Sequence, residues 1–343
     1  MALGGGPLGN LFEAIADDDA LATVDRSWER GVRMFDTAPH YGLGLAERRL
    51  GSALKGRPRD EFELSTKVGR LLVEGSGNAE SRSEHDAAGF AVRSDLERQW
   101  DFSADGVRRS LSDSLGRLGV DRIDIAYIHD PDDHLDQASD AAFPALAALR
   151  DAGVIRAVGV GANRVETALE LIRRCDIDVV MIAGRVTLLD QTATKHLLPL
   201  CLDRQVAVVA AGVFNSGILA APAQDPTAQY DYSEPPADIV DRVRRLRSFV
   251  EARGCSLHGA ALVFAATRPG VDAVCFGART PAEVDEALDA LDIGVDPTVW
   301  EAAIEAGLIE PDVIEPDVVE PDVGDPDVVA SDVVASDVVV GDD

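Results

Sequence analysis

Short runs rich in Val, Ile and Leu alternate with amphipathic stretches from residue 3 to residue 276, and this alternation confines the chain to repeated βα units on a parallel sheet. Eight candidate strands follow: Leu3 to Gly5, Val32 to Phe35, Glu63 to Thr66, Ile123 to Ile128, Ile155 to Val160, Val179 to Ile182, Val206 to Ala210 and Val271 to Phe276. Helical periods lie between them; Val107, Leu111, Leu115 and Leu118 share one face of a helix predicted over Ser103 to Leu118. No GxGxxG follows a strand and opens a helix, and Gly4 to Gly6 read as a tight turn at the first strand. The pattern therefore predicts an α/β fold, a closed (β/α)8 TIM barrel rather than an open doubly wound sheet.

Two further helices are predicted outside the repeat, Ala237 to Ala252 and Pro297 to Ala306. Long connections over 71–101 and 212–236 fall where barrel loops build lids or substrate walls, with plain exposed insertion as the alternative. From Glu310 the chain repeats every five residues as EPDVI, EPDVV, EPDVG, DPDVV, ASDVV, ASDVV. Such an acidic, Pro-punctuated stretch lacks the apolar surface to offset its chain entropy, so the expected division is a barrel over 1–309 and a disordered tail over 310–343.

Composition removes whole classes of function. A formal charge of -29 leaves no basic face for a phosphate backbone, so nucleic acid is not an expected partner. No apolar run reaches about 18 residues, which gives no expected membrane partner, and Met1 leads into no basic-plus-apolar leader. A cytoplasmic location is the expectation. Cys175, Cys201, Cys255 and Cys275 are scattered without metal-ligand spacing and read as free thiols, so no metal is expected. Lys55, Lys67 and Lys195 are the chain's only lysines; with so acidic a surface they suggest tolerance of high salt, where carboxylate repulsion is screened.

The chemistry gathers at strand ends. The second strand runs out through FDTAPHYG, the third through STK and the fourth through YIHD, which puts Asp36, Tyr41, Lys67 and His129 at the common mouth of a barrel. Reduction of a carbonyl by hydride needs a proton donor for the developing alkoxide, and oxidation needs the same group as base. Tyr41 suits both roles if the Lys67 ammonium lowers its pKa, with Asp36 holding Lys67 charged and His129 donating to the substrate oxygen. At Gly277 to Pro281 a helix entry beside Arg279 offers an anion site, with an ordinary helix cap as the alternative.

Over residues 3 to 308 these motifs, with AERRLG at 46–51 and DFSADGVRRSLSDSLGRLGVDRIDIAYIHD at 101–130, resemble the aldo-keto reductases. The resemblance implies a nicotinamide-dependent oxidoreductase with Asp36, Tyr41, Lys67 and His129 as its catalytic tetrad. It also implies cofactor contacts at Asn163 for the carboxamide, at Phe214, Ser216 and Gly217 for the pyrophosphate, and at Gly277, Arg279 and Glu283 toward the adenosine end. Ala183 and Val186 stand where relatives carry Gln and a stacking Tyr, and Ala287 where many carry Asn. Glu283 would repel a 2′-phosphate, favouring NAD, while Arg279 keeps NADP a candidate. A first strand at residue 3, without the usual N-terminal hairpin, implies a start upstream. AGRVTLLDQ, AAGVFNSGIL and GLGLAERRLG are similar to the aldose 1-dehydrogenase branch, implying a monosaccharide oxidised at C1 to a lactone, with Arg82, His85 and Arg93 of the 71–101 loop offered to ring hydroxyls. The alternative is a non-catalytic, cofactor-binding regulatory or interaction subunit on the same barrel. Oligomeric state is left open by the sequence.

Overall fold

The computed structural model describes residues 1–75, 85–223, 225 and 227–310, so Arg82 and the pentapeptide repeats beyond Glu310 lie outside the described residues. Eight parallel strands close into a barrel: β1 (Ala2–Gly4), β2 (Met34–Asp36), β3 (Glu63–Val68), β6 (Ile125–His129), β7 (Ala157–Ala162), β8 (Val179–Ala183), β9 (Ala207–Ala211) and β10 (Ala273–Gly277). Neighbours follow chain order around the ring, and β10 returns to β1. Each β-branched run was thus placed within a few residues of a barrel strand.

The connection over 71–101 has structure that the sequence did not reveal. It carries an antiparallel pair, β4 (Arg70–Glu74) and β5 (Leu96–Trp100), in the register Arg70↔Trp100. Sequence reasoning missed it because Arg98, Gln99 and Trp100 are largely polar and half exposed, so no apolar period marks them as strand.

Around the barrel lie α1 (Asp17–Glu29), α2 (Leu45–Leu54), α3 (Ala104–Leu118), the short α4 (Leu135–Gln137), α5 (Phe143–Asp151), α6 (Val165–Arg174), α7 (Thr192–Arg204), α9 (Leu257–Ala266) and α10 (Pro281–Ile293). The two extra helices are α8 (Ala237–Glu251) and α11 (Pro297–Glu305), as their periods predict. α3 shows how local sequence sets an element. Ser103 caps it by accepting from the Gly106 amide at 3.1 Å, Val107, Leu111 and Leu118 face inward, and Gly119 ends it in a left-handed turn. No helix of the described residues is long and apolar enough to cross a membrane.

Two cores result. One lies between strands and helices, where Phe35, Leu64, Ile128, Val160 and Phe276 meet Leu50, Leu111 and Leu171. The other fills the barrel's interior with Ala2, Tyr127, Val179, Met181, Val209 and Cys275. Because side chains alternate along a strand, the next polar residue toward the mouth faces the same interior space.

Candidate active site

Register brings the polar strand ends together. Gly4 pairs with Asp36, Asp36 with Ser65, Lys67 with Tyr127 and His129 with Gly161, so Asp36, Lys67 and His129 each stand at or next to the carboxyl end of a barrel strand. Lys67 Nζ donates to Asp36 Oδ2 at 2.5 Å and to the Thr37 carbonyl at 3.0 Å, while Ser65 Oγ donates to Asp36 Oδ1 at 2.7 Å. Burial works against the Lys67 ammonium, yet Asp36 and Tyr41 outweigh it and its pKa lies above the ordinary lysine value. Lys67 is therefore a fixed cation.

Tyr41 reaches the same point from the loop after β2. That loop packs directly on the β1 loop: Gly42 sits at φ +61°, where a Cβ would come within 2.3 Å of the Gly9 carbonyl oxygen. Only glycine permits both the turn and the approach. The Lys67 ammonium stands 4.7 Å from the Tyr41 ring centroid, and the ring meets His129 edge-on at 5.9 Å and stacks on Phe90 at 6.1 Å. Burial pushes the Tyr41 phenol above its usual value, and Lys67 pulls it down without reversing the shift. Lys67 thus acts in the expected direction, but burial is the larger effect and the net shift is upward. The phenol is a proton donor at neutral pH.

His129 is 6 % exposed, and burial, with Arg70, Lys67 and His40 close by, holds its pKa well below the usual value. A neutral imidazole keeps one N–H to donate and one lone pair to accept. His40 lies against it at 5.6 Å between ring centroids and is also held neutral by burial, with its pKa down to about 2. His40 belongs to FDTAPHYG, but the sequence assigned it no role.

Above this floor runs a rim of ion pairs. Arg70 pairs with Asp130 at 2.7 Å; Asn163 Nδ2 donates to the same carboxylate at 2.9 Å, and the Asn163 carbonyl accepts from Arg185 at 2.8 Å. Arg185 in turn pairs with Asp190 at 2.9 Å and Asp231 at 3.1 Å. Asp130 lies in YIHD and Arg185 in AGRVTLLDQ but neither was given a role, and Arg70 and Asp231, common surface residue types in no motif, were missed. Of the loop residues that were singled out, His85 donates to the Phe12 carbonyl at 2.9 Å and Arg93 faces solvent. The inserted segment instead contributes Phe90, Arg98 and Trp100, with Arg98 donating to the His40 carbonyl at 2.8 Å.

The residues singled out for a cofactor lie on loops leaving β7, β9 and β10. Asn163 commits its amide N–H to Asp130, and among the described residues its amide oxygen has no hydrogen-bond partner, an acceptor suited to a carboxamide N–H. Phe214 stacks on His258 at 4.6 Å, Ser216 Oγ accepts from the Tyr232 amide at 3.0 Å, and Gly217 turns at φ +100° with open space around it. Gly277 closes β10, and Thr280 caps α10 by accepting from the Glu283 amide at 3.2 Å. Glu283 returns to accept from the Arg279 amide at 2.8 Å, so the ordinary cap is formed here. Arg279 also pairs with Glu283 at 3.1 Å and Glu13 at 2.7 Å. A cation, a helix N-terminus and an amide at the mouth fit a dinucleotide, and the two carboxylates fit ribose hydroxyls better than a phosphate.

The signature AERRLG proves to be scaffolding. Glu47, fully buried, accepts from Thr66 at 3.0 Å and pairs with Arg117 at 2.5 Å. Arg49 donates to the Leu8 and Ile15 carbonyls, both at 2.8 Å, and to Asn10 at 2.7 Å, fixing the β1 loop over the mouth.

A barrel with this cluster at the carboxyl ends of its strands belongs to a carbonyl and alcohol oxidoreductase, and the Aldo/keto reductase family model matches residues 1–306. The chain is a member of that family. It is 40 % identical to a D-threo-aldose 1-dehydrogenase from a Pseudomonas species, over 90 % of this chain and 94 % of the relative. It is 35 % identical to a pyridoxal 4-dehydrogenase of Microbacterium luteolum over the same shares. An aldo-keto reductase from Bacillus halodurans, solved in its holo form, superposes with a TM-score of 0.71 at 25 % identity, over 92 % of this chain and 94 % of that one. Members of the family bind nicotinamide cofactors, and nothing in the site or these relatives favours the non-catalytic alternative.

Proposed function

We propose that this protein oxidises a monosaccharide at C1 to its lactone in the cytoplasm, using NAD, with Tyr41 as acid and base. The observation that carries the chemistry is the Tyr41 ring 4.7 Å from an ammonium that Asp36 holds in place, with His129 against its edge. When bound, the nicotinamide takes or returns the hydride. Tyr41 takes the hydroxyl proton during oxidation and gives it back during reduction, and Lys67 and neutral His129 stabilise the charge that develops on the substrate oxygen. With its pKa raised, the phenol stays protonated at neutral pH, so oxidation should climb as pH rises while reduction falls.

Substrate class rests on the likeness to the D-threo-aldose 1-dehydrogenase. Asn163, Phe214, Ser216, Gly217, Gly277, Arg279 and Glu283 would hold the cofactor, and the Glu13–Arg279–Glu283 arrangement supports NAD over NADP. Residues 310–343 form, in this proposal, a tail dispensable for catalysis. Glu310 itself is tied in, its amide donating to Gln191 at 3.0 Å, so truncation belongs after it. The test is turnover of L-fucose, D-arabinose and L-galactose with NAD and with NADP, beside reduction of pyridoxal. Aldose oxidation preferring NAD is expected; turnover of pyridoxal alone would overturn the aldose assignment.

A further inference from the structure

Among the described residues five large hydrophobic side chains are exposed, Trp100, Val154, Leu202, Tyr232 and Ile293, and the two aromatic ones line the same cleft. The cleft holds about 370 Å³, within the range of small-molecule sites. Asp130 and Asn163 also line it, so it opens onto the end of the mouth where His129 stands. Singly exposed hydrophobic residues are ordinary, but two exposed aromatic rings meeting in one cleft mark a candidate ligand site.

Both rings are held where they are. Trp100 sits at the end of β5 with the Arg70 guanidinium 4.3 Å from its centroid, Phe102 stacked behind at 5.7 Å and His134 at 5.4 Å. Tyr232 is fixed from the opposite side by its amide on Ser216 and its ring against Phe12 at 6.2 Å, with Asp231 anchored on Arg185 next to it. Asp231 and Tyr232 both occupy left-handed backbone, at φ +46° and +62°. Two consecutive non-glycine residues in that region store strain, which is most often met where a site demands a particular side-chain position. Asp132, Asp133 and Arg164 complete the walls as hydrogen-bonding groups.

We propose that Trp100 and Tyr232 are opposing walls of a substrate subsite that grips the ring form of a monosaccharide. The aromatic faces take the sugar's C–H surface, and Asp132, Asp133 and Arg164 take hydroxyls remote from the reacting carbon. A pyranose or furanose presents just these two kinds of surface, apolar faces and a polar edge. The inference rests on the aldose assignment above, and names Trp100 and Tyr232 as the residues that discriminate ring from open-chain substrates.

The experiment compares full-length wild type with Trp100→Ala, Trp100→Phe and Tyr232→Ala, measuring KM and kcat for the best aldose and for methylglyoxal, which has no ring. The ratio of KM for aldose to KM for methylglyoxal should rise at least about tenfold in each alanine variant and stay within about threefold in Trp100→Phe, which keeps a face. NADH affinity should not move. Because Trp28, Trp100 and Trp300 are the only tryptophans, aldose should also change wild-type tryptophan emission, and that change should vanish in Trp100→Phe. An unchanged KM ratio in the alanine variants would overturn the proposal. If wild type turns over pyridoxal but no aldose, the aldose assignment fails, and the ratio of pyridoxal to methylglyoxal then decides whether these walls grip a ring at all.

Discussion

Where Lys67 meets Asp36 at the floor of the mouth, the side chains are 2 % and 3 % exposed, and their other hydrogen-bond partners are Ser65 within β3 and Thr37 next to Asp36. Where Arg185 meets Asp231 at the rim, the exposures are 18 % and 40 %, and the carboxylate comes from a loop 46 residues away. Both are ion pairs of ordinary length. They differ in solvent: the floor is dry, so each charge there depends on its partner, whereas water and salt share the work at the rim. In the proposed function, catalytic geometry rests on the first kind of support and substrate choice on the second.

Breaking the floor should produce the largest effect. Lys67→Met leaves Asp36 buried without a counter-charge and should cost about 3–5 kcal/mol in denaturant unfolding, together with loss of turnover. Lys67→Met/Asp36→Leu should recover much of the stability and none of the activity. A loss under about 1 kcal/mol in the single variant would erase the distinction between floor and rim.

Acid should act next, through the two neutral histidines. His40 and His129 have folded pKa values below the ordinary 6.5, so below pH 6.5 the unfolded chain binds protons that the folded chain refuses. Stability contributed this way is lost as pH falls, at about 1.4 kcal/mol per pH unit for each histidine. His40→Gln should flatten the dependence of unfolding midpoint on pH between about 5 and 6.5, as followed by urea titration. An unaltered slope would mean that the site at His40 is wetter than its packing implies.

The same contrast explains what could be read from sequence. Asp36, Lys67 and His129 were legible because a barrel strand's end fixes where its last polar residue points, and the β-branched run before each one marks the strand. Tyr41 was legible through the spacing in FDTAPHYG. The rim was not: Arg70, Arg185 and Asp231 meet only once loops have folded back over the mouth, and no period in the chain encodes that meeting. Phe90 and Trp100 stayed hidden for a related reason, since the β4–β5 pair has no buried alternate face to betray it. The pull of Lys67 on the Tyr41 pKa was legible because charge neighbours can be inferred from strand order, while the opposing effect of enclosure by Phe90, His40 and His129 was not.

The rim should yield the smallest change. Asp231→Asn should cost about 0.2–1 kcal/mol, measured by thermal unfolding at low ionic strength, and the difference should fade toward 1 M salt. A larger cost, insensitive to salt, would place Asp231 with the floor.

The central claim, that the partly buried Tyr41 phenol carries the proton, is tested most directly by steady-state turnover of Tyr41→Phe with an aldose and NAD. The substitution keeps the ring's contacts with Phe90 and His129 and deletes only the hydroxyl, so the unfolding temperature should stay close to that of wild type while kcat falls at least about 100-fold. A folded Tyr41→Phe enzyme with near-normal kcat would contradict the account.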